Sequence, residues 1–586
     1  MADLTTITAA AAGRIESDLL ISSGQVIDVF SGTIHRLDIA IKDGVIVHMA
    51  PSIDGPCRKE LDADGLYVCP GFIDAHIHIE SSMLVPSRFA QAVIPHGTTA
   101  VVADPHEIAN CWGMDGIEFM IGDARASALS FYFTAPSCVP AAGQFETSGA
   151  ELGPEEIARV LEMEGVVGLG EMMNFPGVIN ADPEVMGKIE EARRRNMVID
   201  GHAPGLRGRQ LSAYISAGID SDHESFGLDE AREKLQKGMY LFIRQGTSAK
   251  NLEALLPAVT PETLARCCLV TDDKHPDEIL DHGHLDHLLS QAVALGLGPA
   301  EAVRMVTLNP AVRFGLKGHG AVAPGYRADI VLVEDLEAFR PVAVIIDGEI
   351  CYSATNGLSD ACLQDPAQGS LEILGASSAG LEIPDPSGLD LAVAAPFQTD
   401  RVRARVVEIV PGELITRQIL TELPVEHGCV LSDPGRDIAY LVVIERHHGT
   451  GNIGKGFVKG FNLQRGAIAS TVAHDSHNLI IAGTDHESMK AAAAALKASG
   501  GGLCAALGQR VELLALPVAG LMSTSSAQEV ASDLERVLGL AHELGISMEN
   551  PFMPLSFLAL PVIPELKLTD RGLVDVNTFS FVSLFP

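Results

Sequence analysis

The chain has 586 residues, of which 41 are basic and 76 acidic, so its formal net charge is −35. Hydrophobic residues make up 47% of the sequence and charged residues 20%, which is enough apolar material for a folded core and excludes intrinsic disorder. The negative charge disfavours binding to nucleic-acid phosphates or to anionic membranes, and no apolar run of about 18 residues is present to cross a bilayer.

The N-terminal segment and the cysteine pattern are typical of a cytoplasmic protein. Residues 1–13 carry Asp3 where a secretion signal needs basic residues, so we expect a loose tail there. The ten cysteines are scattered without a C-x-x-C pair, which disfavours a disulfide framework and a zinc ribbon. We therefore expect reduced thiols and a cytoplasmic location.

Short apolar runs, punctuated by glycine and aspartate, open the chain and return after residue 322. Such runs are typical of β-strands in a small sheet. Their recurrence predicts one flanking β-sandwich domain, residues 1–70 plus 323–360, which is split by a long insertion. The runs that carry this prediction are 18–21, 24–28, 38–44, 328–333 and 342–348.

The insertion, residues 71–322, alternates short β-branched runs with stretches of helical periodicity. Eight such units in about 250 residues predict an α/β fold, a (β/α)8 barrel of the TIM type. An open doubly wound sheet is the alternative, but its first strand should be followed by a glycine-rich turn that this sequence lacks. The predicted strands are 72–79, 98–104, 130–135, 166–172, 198–202, 218–223, 240–245 and 268–272.

The remainder of the chain is predicted to be a separate domain. Residues 361–390 are rich in Gly, Ser, Pro and Ala, which is typical of a linker. Residues 391–586 mix strand-like runs, such as 439–445, with helical ones, such as 488–499. We predict that this C-terminal part is an α+β domain.

Six potential metal ligands fall at the carboxyl ends of the predicted barrel strands, where barrel enzymes carry their active sites. His76 and His78 are two residues apart in an extended strand, so both imidazoles point the same way. One histidine in a barrel is usually a core residue, but six such groups at strand ends predict a metal centre. The other four follow strands four, five, six and eight: Glu171, His202, His223 and Asp272.

The number and type of these ligands predict two metal ions. Six ligands exceed the three protein ligands of a mononuclear catalytic zinc site and suit a pair of divalent ions. Glu171 is the expected bridge, because a carboxylate has two oxygens to share. Nitrogen and oxygen donors without a thiolate permit Zn, Mn or Fe(II) without choosing among them.

Several motifs identify a family. PGFIDAHIH at 70–78 resembles the opening signature of the amidohydrolase superfamily, and PGYRADIV at 324–331 resembles its companion sheet domain. Within the superfamily the closest resemblance is to the adenine deaminase family, which also has a glutamate at position 171 where many binuclear members carry a carbamylated lysine. The motifs similar to that family are DPHEIAN at 104–110, GLGEMMN at 168–174, TDDKHP at 271–276 and AHDSHN at 473–478.

Two other classes of deaminase fit less well. The adenosine deaminase branch has a His-Ala-x-Glu motif at strand five, whereas here HA at 202–203 is followed by PG. Cytidine-type zinc deaminases are excluded, because their H-x-E and P-C-x-x-C motifs are missing.

The resemblance implies hydrolytic deamination of adenine to hypoxanthine and ammonia in purine salvage, with two divalent ions, Mn or Fe(II) in preference to Zn. A metal-activated hydroxide would attack C6, with Asp272 as the proton shuttle and Glu107 as the acid at ring N1. Adenine is the expected small-molecule partner, and a homodimer is expected. Two alternatives stay open: another binuclear amidohydrolase, acting on a cyclic amide or a different aminopurine, and a scaffold without catalytic activity.

A further group of residues is predicted to contact the substrate or to support the metal ligands. Simpler roles stay open for them, namely a turn after strand two, the start of a surface helix, loop capping, and a lid or hydrogen-bonded turn at 474–477. The group lies beside strand ends or in the C-terminal motif and consists of Asp104, His106, Arg88, Ser81, His275, His474, Asp475 and His477.

Overall fold

The structure is a computed structural model that describes residues 3–247, 249–363, 381–411, 413 and 415–586. Most of the predicted linker falls in residues 364–380, outside the described residues. None of the described helices is both long and apolar enough to cross a membrane.

Eight parallel strands in the described part of the chain form the central barrel. Five strands pair consecutively in one sheet and three in another. The two sheets meet where the amide of Asp272 donates to the carbonyl of His76 (3.1 Å), and where the amide of Gly201 donates to Ser221 Oγ (3.1 Å). The predicted (β/α)8 barrel is thus confirmed, with strands Phe72–Ile77, Thr98–Ala103, Ser130–Ala135, Val166–Met172, Val198–Gly201, Ser221–Asp222, Tyr240–Arg244 and Cys267–Val270.

Alternating side chains along the strands separate the barrel interior from the helical layer. In the second strand, Ala100 and Val102 pack with residues of strands on the opposite side, such as Phe242 and Val270, and Phe314 covers the same cluster. Helices cover the outer face: Pro86–Val93, His106–Ala124, Pro154–Val160, Phe175–Ile179, Pro183–Arg194, Gly208–Ser216, Leu228–Gln236, Leu252–Leu255, Pro276–His282, Leu285–Ala294, Pro299–Met305 and Leu308–Arg313.

The flanking sheet combines strands from before and after the barrel, as predicted. Strand Tyr67–Pro70 pairs antiparallel with Ile330–Val333, which joins the two parts of the sequence. The sheet folds over a shared core, so that Ile39 from the first part and Ile345 from the second belong to one apolar cluster. Its nine strands among the described residues are Ser17–Asp28, Thr33–Lys42, Val45–Ala50, Cys57–Asp62, Tyr67–Pro70, Ile330–Val333, Pro341–Ile346, Glu349–Ser353 and Gly357–Leu358.

The prediction of a loose N-terminal tail is wrong. Residues Leu4–Ala11 form a helix, which begins because the Asp3 carboxylate accepts hydrogen bonds from the amides of Thr5 and Thr6. Ala10 of this helix is buried against the flanking sheet.

The C-terminal part is an α+β domain built on a ten-stranded sheet with a helix on each face. Helix His486–Ser499 packs on one face through Met489 and Leu496, and helix Ala527–Glu543 packs on the other through Leu534. The described strands of this sheet are Val393–Ala394, Arg401–Ile409, Thr416–Glu426, Cys429–Val430, Ile438–Ile444, Ile453–Lys459, Ala467–Ser470, Leu479–Gly483, Gly502–Leu507 and Arg510–Ala515. A short helix and a three-stranded sheet complete the domain: Phe552–Ser556, Leu566–Thr569, Gly572–Asp575 and Ser580–Phe581.

The C-terminal domain contacts the barrel at the loop that follows the third barrel strand. Thr147 donates from its amide and its hydroxyl to the two carboxylate oxygens of Asp570 (3.0 and 2.7 Å). Asn478 Nδ2 donates to the Thr147 carbonyl (2.8 Å), and His448 Nε2 bonds to the Ser148 carbonyl (2.9 Å). These contacts bring the loop 473–478 of the C-terminal domain to the mouth of the barrel.

Candidate metal centre and active site

Glu171 lies at the centre of the six predicted metal ligands. It belongs to the fourth barrel strand, and its buried carboxylate faces three histidines. Oε2 lies 2.6 Å from His202 Nδ1 and 3.1 Å from His223 Nε2, whereas Oε1 lies 3.3 Å from His78 Nε2. The two oxygens therefore face different histidines, as a carboxylate that bridges two cations must.

The remaining two ligands complete a buried cluster. Asp272 Oδ1 lies 3.4 Å from His78 Nε2, and the His76 ring stacks on His223 with centroids 4.0 Å apart. Nε2 of His76 is buried and has no hydrogen-bond partner among the described residues. Such an atom is costly unless a ligand satisfies it. Donor atoms of His76, His78 and Asp272 lie within 4.8 Å of one another, as do those of His76, Glu171 and His223, so the cluster fits two divalent cations.

His76 and Glu171 have protonation states that suit cation binding. Burial lowers the pKa of His78 and of His223, but Glu171 outweighs burial and raises both, so a cation must displace a proton from each of those rings. Burial lowers the pKa of His76 well below its usual value, and the neighbouring His223 and His78 lower it further, so its ring stays neutral. Burial alone would raise the pKa of Glu171, but hydrogen bonds and positive charge from the histidines hold it well below its usual range. Both groups are therefore in the forms that bind metals.

Asp104 orients two of the proposed metal ligands through hydrogen bonds. Its Oδ2 accepts a hydrogen bond from the amide of Glu171 (2.9 Å), and its carbonyl bonds to His78 Nδ1 (3.1 Å). The second bond leaves His78 Nε2 free to face a cation. Burial raises the pKa of Asp104 to about 6. Gly170 makes the arrangement possible, because a Cβ atom there would overlap the Asp104 carboxylate.

Glu107 is held by histidines from two domains. It lies in the first turn of helix His106–Ala124, with His474 Nδ1 at 2.5 Å from Oε1 and His477 Nε2 bonded to Oε2. His106 Nε2 is 3.4 Å from Oε1. Although burial raises the pKa of Glu107, the charges of His474, His106 and His477 hold it well below its usual range. The predicted residues of the C-terminal motif thus meet the predicted acid directly.

Two family models match the chain. The model described as "Amidohydrolase family" matches residues 67–351, and the model described as "Adenine deaminase C-terminal domain" matches residues 413–580. A curated relative named adenine deaminase, from Desulfatibacillum aliphaticivorans, is 46% identical over 581 residues, which is 99% of each chain. Another of that name, from Methanothermobacter thermautotrophicus, is 46% identical over 96% of this chain and 99% of its own.

The chain belongs to the adenine deaminase family. The resemblance predicted from its motifs is therefore confirmed. The match of the relatives over the whole chain includes the C-terminal domain, whose histidines contact Glu107 in the barrel.

Of three other predicted residues of this family member, two lie beside the centre and one lies at the domain contact. Ser81 donates a hydrogen bond to Asp273, beside the predicted ligand of strand eight. His275 Nδ1 lies 3.3 Å from Asn550 Nδ2, and both Ser81 and His275 line a cavity of about 30 Å³. Arg88 donates to a backbone oxygen of the C-terminal domain (2.7 Å), so it belongs to the domain contact rather than to the cluster of ligand atoms.

Sequence reasoning missed Arg244 and Glu224. Arg244 is buried and donates from Nη1 to Asp272 Oδ2 (2.6 Å) and from Nη2 to Glu224 Oε2 (2.8 Å). Burial raises the pKa of Asp272, but Arg244 and the nearby histidines outweigh it and hold this pKa below its usual range. Arg244 ends the seventh strand and Glu224 follows His223, so the rule that located the other ligands could have found both.

Proposed function

We propose that this protein catalyses the hydrolytic deamination of adenine to hypoxanthine and ammonia, with two divalent metal ions. The observation that carries the proposal is the buried cluster of six potential ligands around Glu171, in a chain that belongs to the adenine deaminase family. Adenine is the proposed small-molecule partner, and purine salvage is the proposed context. The homodimer, the cytoplasmic location and the domain boundaries remain sequence-based predictions.

The residues that would hold the ions surround the Glu171 carboxylate. The donor set of imidazoles and carboxylates suits Mn, Fe(II) or Zn, and we propose Mn or Fe(II). Bound there, two cations would act as Lewis acids that make a water molecule nucleophilic near neutral pH. The proposed ligands are His76, His78, Glu171, His202, His223 and Asp272.

Asp272 is proposed to move the proton of the attacking water. C6 of adenine is a weak electrophile with a poor leaving group, so the reaction needs a base for the water and an acid for the departing amine. Asp272 is ionised at neutral pH and can accept the first proton. As the water oxygen bonds to C6 and the C6–N bond breaks, Asp272 returns that proton to the amine, which leaves as ammonia. Arg244 keeps the carboxylate oriented throughout.

Glu107 is proposed to protonate or hydrogen-bond ring N1, where negative charge builds during attack. Its carboxylate is ionised, so a proton passed to N1 must come from a partner. Burial lowers the pKa of His474, but Glu107 raises it to about 9, so this imidazole is protonated at neutral pH. The His474–Glu107 pair therefore supplies the proton that stays on N1 of hypoxanthine. After ammonia leaves, the proton that remains on the C6 oxygen would return to this pair, which restores its starting state.

The test is ammonia release from adenine by protein purified with added Mn²⁺, beside a chelated sample and the Glu171→Gln variant. We expect turnover in the first sample and a loss of at least about 1000-fold in the other two, because Glu171 faces three of the other proposed ligands. Two bound ions per chain without turnover of adenine would contradict the proposed substrate. A panel of cyclic amides and other aminopurines would then identify the reaction.

A further inference from the structure

We propose that Asp475, in the C-terminal domain, accepts a hydrogen bond from the imidazole-ring N–H of the purine, so that this domain selects the free base. The inference rests on the proposed deamination of adenine. It assigns a role in substrate selection to a domain that contributes none of the six proposed metal ligands.

Asp475 is buried, and one oxygen of its carboxylate has no hydrogen-bond partner among the described residues. The residue is 3% exposed, and the oxygen without a partner is Oδ2. Glu107 and Glu171, by comparison, each face two or more imidazoles. Burying an unpaired carboxylate oxygen is unfavourable, and no described residue, the nearby Glu146 included, hydrogen-bonds to Oδ2, so this oxygen points to a donor on a bound ligand.

The position of Asp475 places it over the barrel mouth. It directly follows His474 and lies two residues before His477, and both of these histidines bind Glu107. The charges of Glu107, His106 and Glu171 all act on the Asp475 carboxylate. The unpaired oxygen is therefore close to the space between the proposed metal ligands and the C-terminal domain.

Hydrogen bonds fix the loop that carries Asp475. The amide of His477 donates to the Ala473 carbonyl (2.7 Å), and His447 Nε2 bonds to the Ser476 carbonyl (2.6 Å). Asn478 anchors the end of the loop to the barrel. Because the loop is already ordered, binding of a ligand to this acceptor does not include the entropic cost of ordering it.

The same loop is poorly suited to binding a third cation. The amide of Ala473 donates to His477 Nδ1 (3.1 Å), so in the neutral ring the proton is on Nε2, which donates to Glu107. A histidine that binds a metal normally donates its other ring N–H, whereas here that other nitrogen is an acceptor. His477 and His474 therefore position Glu107. Asp475 Oδ2 and Ser476 Oγ are the buried side-chain atoms of the loop that have no partner among the described residues, and of the two Asp475 carries the charge that a ligand N–H prefers.

The ligand that fits this acceptor carries an N–H group at the end remote from the reacting carbon. Adenine has this arrangement, because C6 and N1 belong to its six-membered ring and the N–H belongs to its imidazole ring. With C6 at the proposed metal ligands inside the barrel, the imidazole ring points outward to the C-terminal domain. A nucleoside replaces this hydrogen with ribose, which removes the donor and adds bulk where His474 already stacks on Phe557 (centroids 4.4 Å apart).

The test compares adenine with its oxazolopyrimidine analogue, in which a ring oxygen replaces the imidazole N–H without enlarging the ring. We expect Asp475→Ala to lower kcat/KM for adenine by about 100-fold and to change kcat/KM for the analogue by less than about threefold. Asp475→Asn preserves the shape of the side chain and one acceptor oxygen, so it should lower kcat/KM for adenine by only about tenfold. As with Asp475→Ala, the loss should be larger for adenine than for the analogue. Asp570→Asn, at the domain contact, is the matched control and should affect both substrates equally.

An equal loss on both substrates in the Asp475 variants would overturn the inference, since it would indicate a structural role. The Asn variant should have the same bound metal per chain and the same circular dichroism spectrum as the unaltered protein. Its kinetic result therefore tests the inference even if the Ala variant misfolds. Absence of ammonia release from adenine by the unaltered protein would instead contradict the proposed function, and this inference with it.

Discussion

Buried carboxylates near the barrel mouth differ in the charges that face them. Glu107 and Glu171 face histidines, and these keep both carboxylates ionised in spite of burial. Glu146, on the loop after the third strand, faces Asp475 and Asp570 instead. Burial raises the pKa of Glu146 to about 8, and the negative charge of Asp475 contributes in the same direction.

The high pKa of Glu146 predicts a pH-dependent cost in stability. Its pKa is above the ordinary value of 4.5 in the folded protein, so the folded state binds this proton more tightly than the unfolded state. The free energy of unfolding should therefore fall as pH rises from about 4.5 to about 8. Glu146→Gln should remove that loss, a gain of up to about 5 kcal/mol above pH 8.

Urea unfolding of both proteins across this pH range measures the effect. Glu155→Gln, at an exposed glutamate in the first turn of helix Pro154–Val160, is the control and should change little at any pH. If the free energy of unfolding of Glu146→Gln varies with pH in the same way as that of the unaltered protein, then Glu146 is not buried in its neutral form.

At the scale of elements, the centre depends on how the ends of barrel strands fit together, including strands that are separated by a third one. The second and fourth barrel strands end in Asp104 and Glu171, and the side chain of the first accepts from the backbone of the second. This contact requires the absence of a side chain at Gly170. A packing requirement at a glycine thus controls the orientation of the proposed bridging carboxylate.

Gly170→Ala should therefore damage the centre more than the fold. The added Cβ displaces the Asp104 carboxylate, so we expect weaker metal binding and at least a tenfold loss of kcat/KM, with a stability loss of about 1–3 kcal/mol. Metal content after dialysis and steady-state kinetics measure the two effects. Gly122→Ala, where open space surrounds the glycine, is the control, and equal damage from both variants would contradict the argument.

At the scale of the whole molecule, the proposed active site lies where the barrel meets the C-terminal domain. Glu107 of the barrel binds His474 and His477 of the C-terminal domain, and Arg88 donates across the same contact. Ligands that bind only the folded site stabilise the complete structure by mass action. Bound metal ions should therefore stabilise the C-terminal domain together with the barrel.

Removal of the metal ions should lower the thermal stability of the protein. Ions present at a hundred times their dissociation constant contribute about 3 kcal/mol, so chelation should lower Tm by a few degrees, and added Mn²⁺ should restore it. Differential scanning calorimetry measures the shift. Glu171→Gln should show a much smaller response to the chelator, and an equal response would contradict the proposed role of Glu171 in metal binding.

The amino-acid sequence alone was enough to predict the family, the barrel and six of the residues that meet at the candidate centre. Strand periodicity and the rule that barrel sites form at strand ends are local, so they located His76, His78 and Glu171 without a structure. The recurrence of strand patterns after residue 322 likewise predicted the split sheet. The short helix Leu4–Ala11 escaped prediction, because eight residues rich in Ala and Thr carry little periodic signal.

Which distant groups contact these ligands depends on how the strands and domains pack. Glu107 and His477 are 370 positions apart, and they meet because two domains dock through Thr147 and Asp570. Arg244 reaches Asp272 because the seventh and eighth strands pair with Arg244 opposite Val270, and no pattern within one strand specifies that register. Contacts of this kind depend on how whole domains pack, so the motif at 473–478 could be recognised in the sequence, but its place over the barrel mouth could not.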